Sequence, residues 1–207
     1  MINTFIAYDD NDFELGEYFE DSHGDISAVV VTNALITNLS IRGLDCTEAN
    51  INNTLLAANC GRFIFIALTH GNDEELVSHE VYVSVNNSAT FANSLFYTCA
   101  CSTGYILGDN LINAGCLSFI GYFDTVLVNV DYFPLFFACQ NFGIKTFLSH
   151  DETIEVSYNK MIEYYNKEID RLVIGSTDDV IAASSLINNR DCLVLLGSKT
   201  LTRNDFN

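Results

Sequence analysis

Two continuous apolar runs, each ending on a reactive side chain, constrain what this chain can fold into. The first covers residues 62–68 and leads to His70, and the second covers residues 94–98 and leads to Cys101. Each run is short, rich in aromatic residues and followed by turn formers, which is typical of a fully buried strand. If the two are parallel neighbours in an open sheet, His70 and Cys101 emerge together at its carboxyl edge, where such sheets place their sites. A thiol and an imidazole meeting there would suit nucleophilic catalysis.

The order of the other predicted elements indicates an α/β fold. Predicted strands cover residues 2–8, 28–32, 62–68, 94–98, 117–122 and 192–197. Predicted helices cover residues 13–21, 48–59, 107–114, 132–142 and 152–172, and a shorter one capped by Asp178-Asp179 ends at Leu186. Strands alternating with helices favour a parallel sheet with right-handed crossovers. We therefore predict a three-layer α/β/α fold with a mostly parallel six-stranded sheet, in one domain over residues 1–207.

Three connecting segments have weaker signals. Residues 33–45 are predicted as loop with some extended character, and residues 79–85 alternate like a surface hairpin. The polar tail from Ser198 is expected to fray.

Composition limits the classes of partner. Of 207 residues, 49% are hydrophobic and 17% charged, which indicates a compact globular chain. Twenty-seven acidic against nine basic residues give a net charge of −18, so nucleic acid is not an expected partner. The start lacks a signal peptide and no apolar run is long enough to span a bilayer, so no membrane partner is expected. Seven cysteines in mostly apolar surroundings argue against a disulfide framework, and a cytoplasmic location is the default.

Two motifs of this chain resemble those of a known family. Thr69-His70-Gly71 after one buried strand, and Ala100-Cys101-Ser102-Thr103-Gly104 after the next, resemble the caspase-like cysteine peptidases, in particular the separase-related and bacterial CHAT branch. Residues 113–122 also match the family's helix, small-residue turn and strand. CHAT-type relatives often serve in bacterial defence, but these residues do not indicate that role.

The resemblance implies a cysteine endopeptidase without a cofactor or metal. His70 would be the general base or acid, Cys101 the nucleophile, and the backbone N–H groups of Gly71 and Cys101 the oxyanion hole. It also implies a protein or peptide substrate and activation by a separate partner, a small ligand or self-cleavage. Asn72 to Glu80 and Thr125 to Asp131 are the loops that activation would order.

The family's specificity residues are only partly matched. The histidine and cysteine are 101 − 70 = 31 residues apart, which is short for caspases and nearer to gingipain-like relatives. Cys99 occupies the position, two before the nucleophile, that shapes the primary pocket. Only nine basic residues exist, so the resemblance implies an acidic pocket for Arg or Lys rather than a basic pocket for Asp. Asp124 is the candidate and Asp131 the reserve.

The same residues allow two other interpretations, a metal site and a non-catalytic binding domain. Cys99 and Cys101 point to the same face of a strand, so with His70 and Cys116 they could form a zinc site, although a strand is a poor chelating loop. A non-catalytic caspase-like domain that binds a ligand or partner at the sheet edge is the main alternative function.

The acidic run after the first strand bears on two further alternatives. Asp9, Asp10 and Asp12 resemble a cation cluster, but helix capping explains them more simply. A flavodoxin-like binding protein is the weakest alternative, since no glycine-rich phosphate loop follows the first strand.

Overall fold

A six-stranded sheet forms the centre of the protein in this computed structural model, which describes residues 1–207. Its strands are β1 (Ile2–Tyr8), β2 (Ile36–Arg42), β3 (Phe63–Leu68), β7 (Ser94–Thr98), β8 (Ser118–Tyr122) and β9 (Leu193–Gly197). The order across the sheet is β2-β1-β3-β7-β8-β9, and only β9 runs antiparallel to its neighbour. A second, antiparallel sheet contains β4 (His70–Gly71), β5 (Glu75–Val77) and β6 (Val81–Ser84).

Helices cover both faces of the large sheet. They are α1 (Gly16–Thr32), α2 (Glu48–Ala58), α3 (Ile106–Asn113), α4 (Phe133–Ser149), α5 (Ile154–Leu172) and α6 (Thr177–Cys192). One apolar cluster joins a sheet face to α1, α4, α5 and α6, and a second joins the other face to α2, α3 and the small sheet. The predicted three-layer α/β/α fold is therefore confirmed. None of the helices has both the length and the apolar character needed to cross a membrane.

Strand β3 explains the uninterrupted apolar run. Ile64 and Ile66 belong to the cluster under α1 and α4, whereas Phe63 and Phe65 belong to the cluster under α2 and α3. Because both faces are covered, alternating side chains are all apolar, as expected for a central parallel strand. The strand ends at Leu68, close to the predicted position.

The predicted second strand, residues 28–32, is wrong. It is the last part of α1, and β2 lies at Ile36–Arg42, inside the segment predicted as loop. Val30 is buried on the helix face that also buries Phe19 and Ile26, while Val31 is 83% exposed. Packing at helical spacing thus overrides the β-propensity of a valine run.

The C-terminal third is more ordered than predicted. Helix α4 continues to Ser149 through Gly143, where a Cβ would lie 2.9 Å from Met161 Sδ, so the glycine allows α4 and α5 to pack closely. Helix α6 runs on to Cys192, and its N-cap is Ser176, with Asp179 of the predicted Asp178-Asp179 cap completing a capping box. The tail does not fray, because Leu201 and Phe206 are buried.

Candidate active site

His70 lies immediately beyond the carboxyl end of β3. The Thr69 hydroxyl donates to the Val77 carbonyl oxygen, and His70 pairs with Val77 across the β4–β5 ladder. These contacts turn the chain out of the large sheet, so the imidazole projects from its rim with 46% of the side chain exposed.

Cys101 lies in the tight turn that follows β7, the neighbour of β3. Ser102, next in the chain, has a φ of 58°, and its N–H donates to the Asp124 carbonyl oxygen at 3.1 Å. The Gly104 N–H donates to the Tyr122 carbonyl oxygen at 2.8 Å. A Cβ on Gly104 would lie 2.7 Å from Val194 Cγ1, so only glycine fits there. The turn that carries the thiol is therefore held from both sides.

His70 and Cys101 line one narrow cleft of about 100 Å³ at the carboxyl edge of the sheet. The other lining residues are mostly apolar and come from the chain after β3 and β7, from α1 and the residue before it, from α4 and from the segment after β8: Leu15, Tyr18, Phe19, Thr69, Cys99, Ala100, Val126, Val128 and Gln140. No hydrogen bond joins the thiol to the imidazole. Cys101 Sγ accepts the Val126 N–H, and His70 Nε2 faces Asp12.

Asp12 is the partner of the imidazole. Its Oδ2 lies 3.2 Å from His70 Nε2, and its Oδ1 accepts the N–H groups of Leu15 and Glu14 at 2.6 and 2.9 Å. These bonds close the turn before α1, whose N-cap residue, Leu15, has no side-chain cap, so the predicted capping of the helix is wrong. Sequence reasoning also missed the contact with His70. A signal was present, because Asp12 follows β1, whose carboxyl end neighbours that of β3. With Nε2 facing Asp12, Nδ1 is the ring nitrogen left for the thiol.

The environment of Asp12 favours its ionised form. Partial burial by itself raises the pKa of the carboxyl group, but the N–H groups of Leu15 and Glu14 and the His70 ring outweigh it and lower that pKa below its ordinary value of 3.8. An anion at this position can orient the imidazole through Nε2.

We expect Asp12→Asn to lower the free energy of unfolding by roughly 1 kcal/mol near neutral pH, with the deficit disappearing in acid. A carboxyl group with a lowered folded pKa stabilises the folded chain above its unfolded pKa, and that contribution is lost as the pH falls through the folded pKa. Asparagine keeps an oxygen for Leu15 and Glu14, so the change chiefly removes charge. Urea unfolding at pH values from about 7 to about 3 measures the deficit.

Asp21→Asn is the matched control, because Asp21 is an exposed carboxylate on α1. It should change stability little at any pH. If the Asp12→Asn deficit persisted undiminished in acid, it would not come from the ionised carboxylate.

The two residues predicted for the oxyanion hole differ in position, because Cys101 lines the cleft and Gly71 does not. The Cys101 N–H donates to no acceptor in the chain. The N–H of Asn72, the next residue after Gly71, donates to the Glu75 carbonyl oxygen. Hydrogen-bonded and non-hydrogen-bonded pairs alternate along an antiparallel ladder, so Gly71 and Leu76 form a non-hydrogen-bonded pair. The Gly71 N–H therefore points away from β5. A Cβ on Gly71 would lie 3.0 Å from Ala100 Cβ, so a side chain would press on the cysteine turn.

A strap formed by residues 125–129, between β8 and α4, lies over the thiol. The Val126 N–H donates to Cys101 Sγ at 3.2 Å. Buried Asn189 on α6 accepts the Leu127 N–H at 2.8 Å and donates to the Leu127 carbonyl oxygen at 2.7 Å. Asn188 donates to the Thr125 carbonyl oxygen at 2.8 Å. The strap is thus attached to Cys101 on one side and to α6 on the other.

The three predicted pocket residues lie in different places. Cys99 lines the cleft but is 5% exposed, and burial raises the pKa of its thiol to about 12. Asp124 and Asp131 are exposed and do not line the cleft. The Asp124 carboxylate accepts its own loop's Thr125 N–H at 2.7 Å. The cleft therefore contains one of the three.

The zinc alternative does not match the side-chain positions. Cys116 lies in the apolar cluster on the opposite sheet face from Cys99 and contacts Ser94 and Ser118. No three histidine, cysteine, aspartate or glutamate side chains are grouped closely enough to hold a metal ion. The seven cysteines are all unpaired.

Comparison with solved structures identifies the fold. The crystal structure of gingipain R, an Arg-specific cysteine proteinase, matches 97% of this chain with a TM-score of 0.65 at 12% sequence identity. This chain corresponds to only 47% of the gingipain R chain, about half its length. An inactive zymogen of a C11 protease from Parabacteroides distasonis matches 87% of this chain and 68% of its own, with a TM-score of 0.45 and 12% identity. No protein-family model and no curated protein matches this chain.

The fold is therefore of the caspase-like class, which includes cysteine peptidases. The resemblance noted in the sequence is confirmed at this level. The narrower relation to the CHAT branch stays a prediction.

Proposed function

We propose that this protein is a cysteine peptidase with Cys101 as nucleophile and His70 as its acid–base partner. The observation that supports this most is that both side chains, delivered by adjacent parallel strands, line one cleft beside Asp12. Thiol and imidazole on a common rim are what acyl transfer to sulfur requires.

The chemistry follows from the positions of these groups. His70 Nδ1 takes the Cys101 proton, and the sulfur adds to the carbonyl carbon of the scissile peptide bond. The N–H groups of Cys101 and Gly71 stabilise the resulting oxyanion. The imidazolium then protonates the departing amine as the C–N bond breaks and leaves a thioester. Water, deprotonated by His70, hydrolyses the thioester and returns the thiol.

Asp12 would act as a positioning residue in this scheme. By holding Nε2, it sets the ring orientation and keeps Nδ1 available for the thiol proton. Its charge also compensates the imidazolium that forms after proton transfer, as carboxylates do in other acid–base sites.

The strap suggests that this form of the protein is latent. Val126 occupies the approach to Cys101 Sγ, and both Val126 and Val128 narrow the cleft. A substrate would have to displace the strap, which is consistent with the predicted activation through residues 125–131. A partner, a small ligand or self-cleavage could supply the trigger.

The preference for a basic residue before the scissile bond stays a prediction. The net charge of −18 and the fold shared with an Arg-specific proteinase favour it, whereas the lining of the cleft, which contains no carboxylate, opposes it. Neither Asp124 nor Asp131 adds a carboxylate to the cleft.

Asn189→Ala should release the strap and raise peptide cleavage about 30-fold, since two hydrogen bonds worth about 1 kcal/mol each hold Leu127. The test incubates the full chain with a degenerate peptide library and identifies new termini by mass spectrometry. Asn188→Ala removes one bond and should have a smaller effect. Asn110→Ala, in α3 and remote from the strap, is the control.

The non-catalytic alternative makes the opposite prediction. It is favoured by the Val126–Cys101 contact and by the lack of a thiol–imidazole hydrogen bond. If neither the wild type nor Asn189→Ala produced new termini, although iodoacetamide alkylated Cys101 in both, the peptidase proposal would fail and a binding role would stand.

A further inference from the structure

An unpaired amide donor lies at the closed end of the active-site cleft. Gln140, on α4, lines the cleft with Cys101 and His70 and is fully buried. Its Oε1 accepts the Tyr18 hydroxyl at 2.6 Å, but its Nε2 has no hydrogen-bond partner. A buried amide N–H without an acceptor is destabilising, so the arrangement calls for an explanation.

Exchanging the amide oxygen and nitrogen does not remove this problem. The Tyr18 hydroxyl proton would then face an N–H group, and its only partner in the chain would be lost. The amide oxygen would become the unpaired atom instead. The orientation with Nε2 free is therefore the better one, and it leaves a donor for a ligand.

The cleft lining excludes charged occupants. No Lys, Arg, Asp or Glu is among the lining residues, and His70 is already paired with Asp12. An unpaired guanidinium, ammonium or carboxylate buried there would be strongly disfavoured.

This inference rests on the proposed peptidase function. We propose that this end of the cleft binds P1, the residue before the scissile bond, and that it selects a neutral amide side chain, asparagine or glutamine. Gln140 Nε2 donates to the side-chain carbonyl oxygen of P1. The second lone pair of Gln140 Oε1 and the Tyr18 oxygen accept from the P1 amide N–H₂ group. An aliphatic P1 would leave Nε2 unpaired.

The strap explains why this donor is buried in the free protein. Val126 and Val128 line the same cleft, and Val126 contacts Cys101 Sγ. Cys99, nearly buried two residues before the nucleophile, places an uncharged sulfur in the same pocket. Displacement of the strap therefore opens the nucleophile and the P1 pocket together.

The test compares peptidyl chloromethyl ketones that share one backbone and differ only at P1: Asn, Gln, Asp, Arg, Lys or Leu. Alkylation of Cys101 is timed by mass spectrometry in the full wild-type and Asn189→Ala chains. We expect the Asn and Gln probes to react at least about tenfold faster than the others. Fastest reaction with Arg or Lys probes would overturn this inference and leave the peptidase proposal intact.

Variants of Gln140 sharpen the result. Gln140→Leu should abolish the amide preference, and Gln140→Glu should shift it toward Arg and Lys by adding a carboxylate. Asn52→Leu removes another buried amide with an unpaired atom, on α2, and should leave the P1 order unchanged. Thermal unfolding and iodoacetamide alkylation identify any variant that is misfolded.

Two further outcomes would overturn the inference. A Gln140→Leu chain that folds and keeps the wild-type preference would show that Gln140 does not read P1. If iodoacetamide modified Cys101 but no peptidyl probe did in either chain, the peptidase proposal and this inference would fail together.

Discussion

Cys101→Ala is expected to abolish peptide cleavage, with a loss of about 10⁴-fold or more in kcat/KM, because no other group in the cleft can form the acyl intermediate. Thr69 is buried and donates to Val77, and the Cys99 thiol, whose pKa is raised to about 12 by burial, forms almost no thiolate at neutral pH. Cleavage of a peptide substrate by the Asn189→Ala chain, with and without Cys101→Ala, measures the effect.

The structural cost of Cys101→Ala should be small. Cys101 is half-buried, and the substitution removes only the sulfur that accepts the Val126 N–H. Cys60→Ala, which changes another half-buried thiol at the end of α2, is the matched control and should retain activity. Equal activity of the Cys101→Ala chain and the control would remove Cys101 from the mechanism.

The second large effect is expected for His70→Ala, which should lower kcat/KM about 10²- to 10⁴-fold, the usual contribution of general acid–base catalysis. Asp12→Asn should lower kcat/KM less, by about 10- to 100-fold and mainly through kcat. It leaves the imidazole in place but removes the carboxylate that fixes the orientation of the ring. Steady-state kinetics of the three chains against one peptide provide the comparison.

Rescue of activity by added imidazole distinguishes a catalytic role of His70 from a purely structural one. The His70 side chain is 46% exposed, so imidazole can reach the space that His70→Ala leaves and should partly restore activity. His79→Ala, on the exposed turn between β5 and β6, is the control. If His70→Ala retained full kcat, the acid–base assignment would be wrong.

Helical and strand patterns predicted most elements because most of them bury one regular face. Thr47 caps α2 as expected, and its hydroxyl accepts the Asn50 N–H. The valine-rich end of α1 was misassigned because β-branched residues favour strands locally, whereas packing on the sheet chose the helix. The sequence does not reveal the edge strand β2, because only Ile36 of its seven residues is buried. The strand therefore shows little alternation of apolar and polar residues.

By itself, the sequence predicted five of the six strands of the large sheet and placed His70 and Cys101 at the ends of neighbouring strands. Buried parallel strands are continuous apolar runs, and adjacent strands present their carboxyl ends at one edge. Only the tertiary structure decided which groups surround that pair. Asp12, Gln140 and Asn189 come from separate helices and turns, and their contacts depend on distances that no local pattern encodes. The contact of Asp12 with His70, the unpaired amide of Gln140 and the strap therefore became visible only in the folded chain.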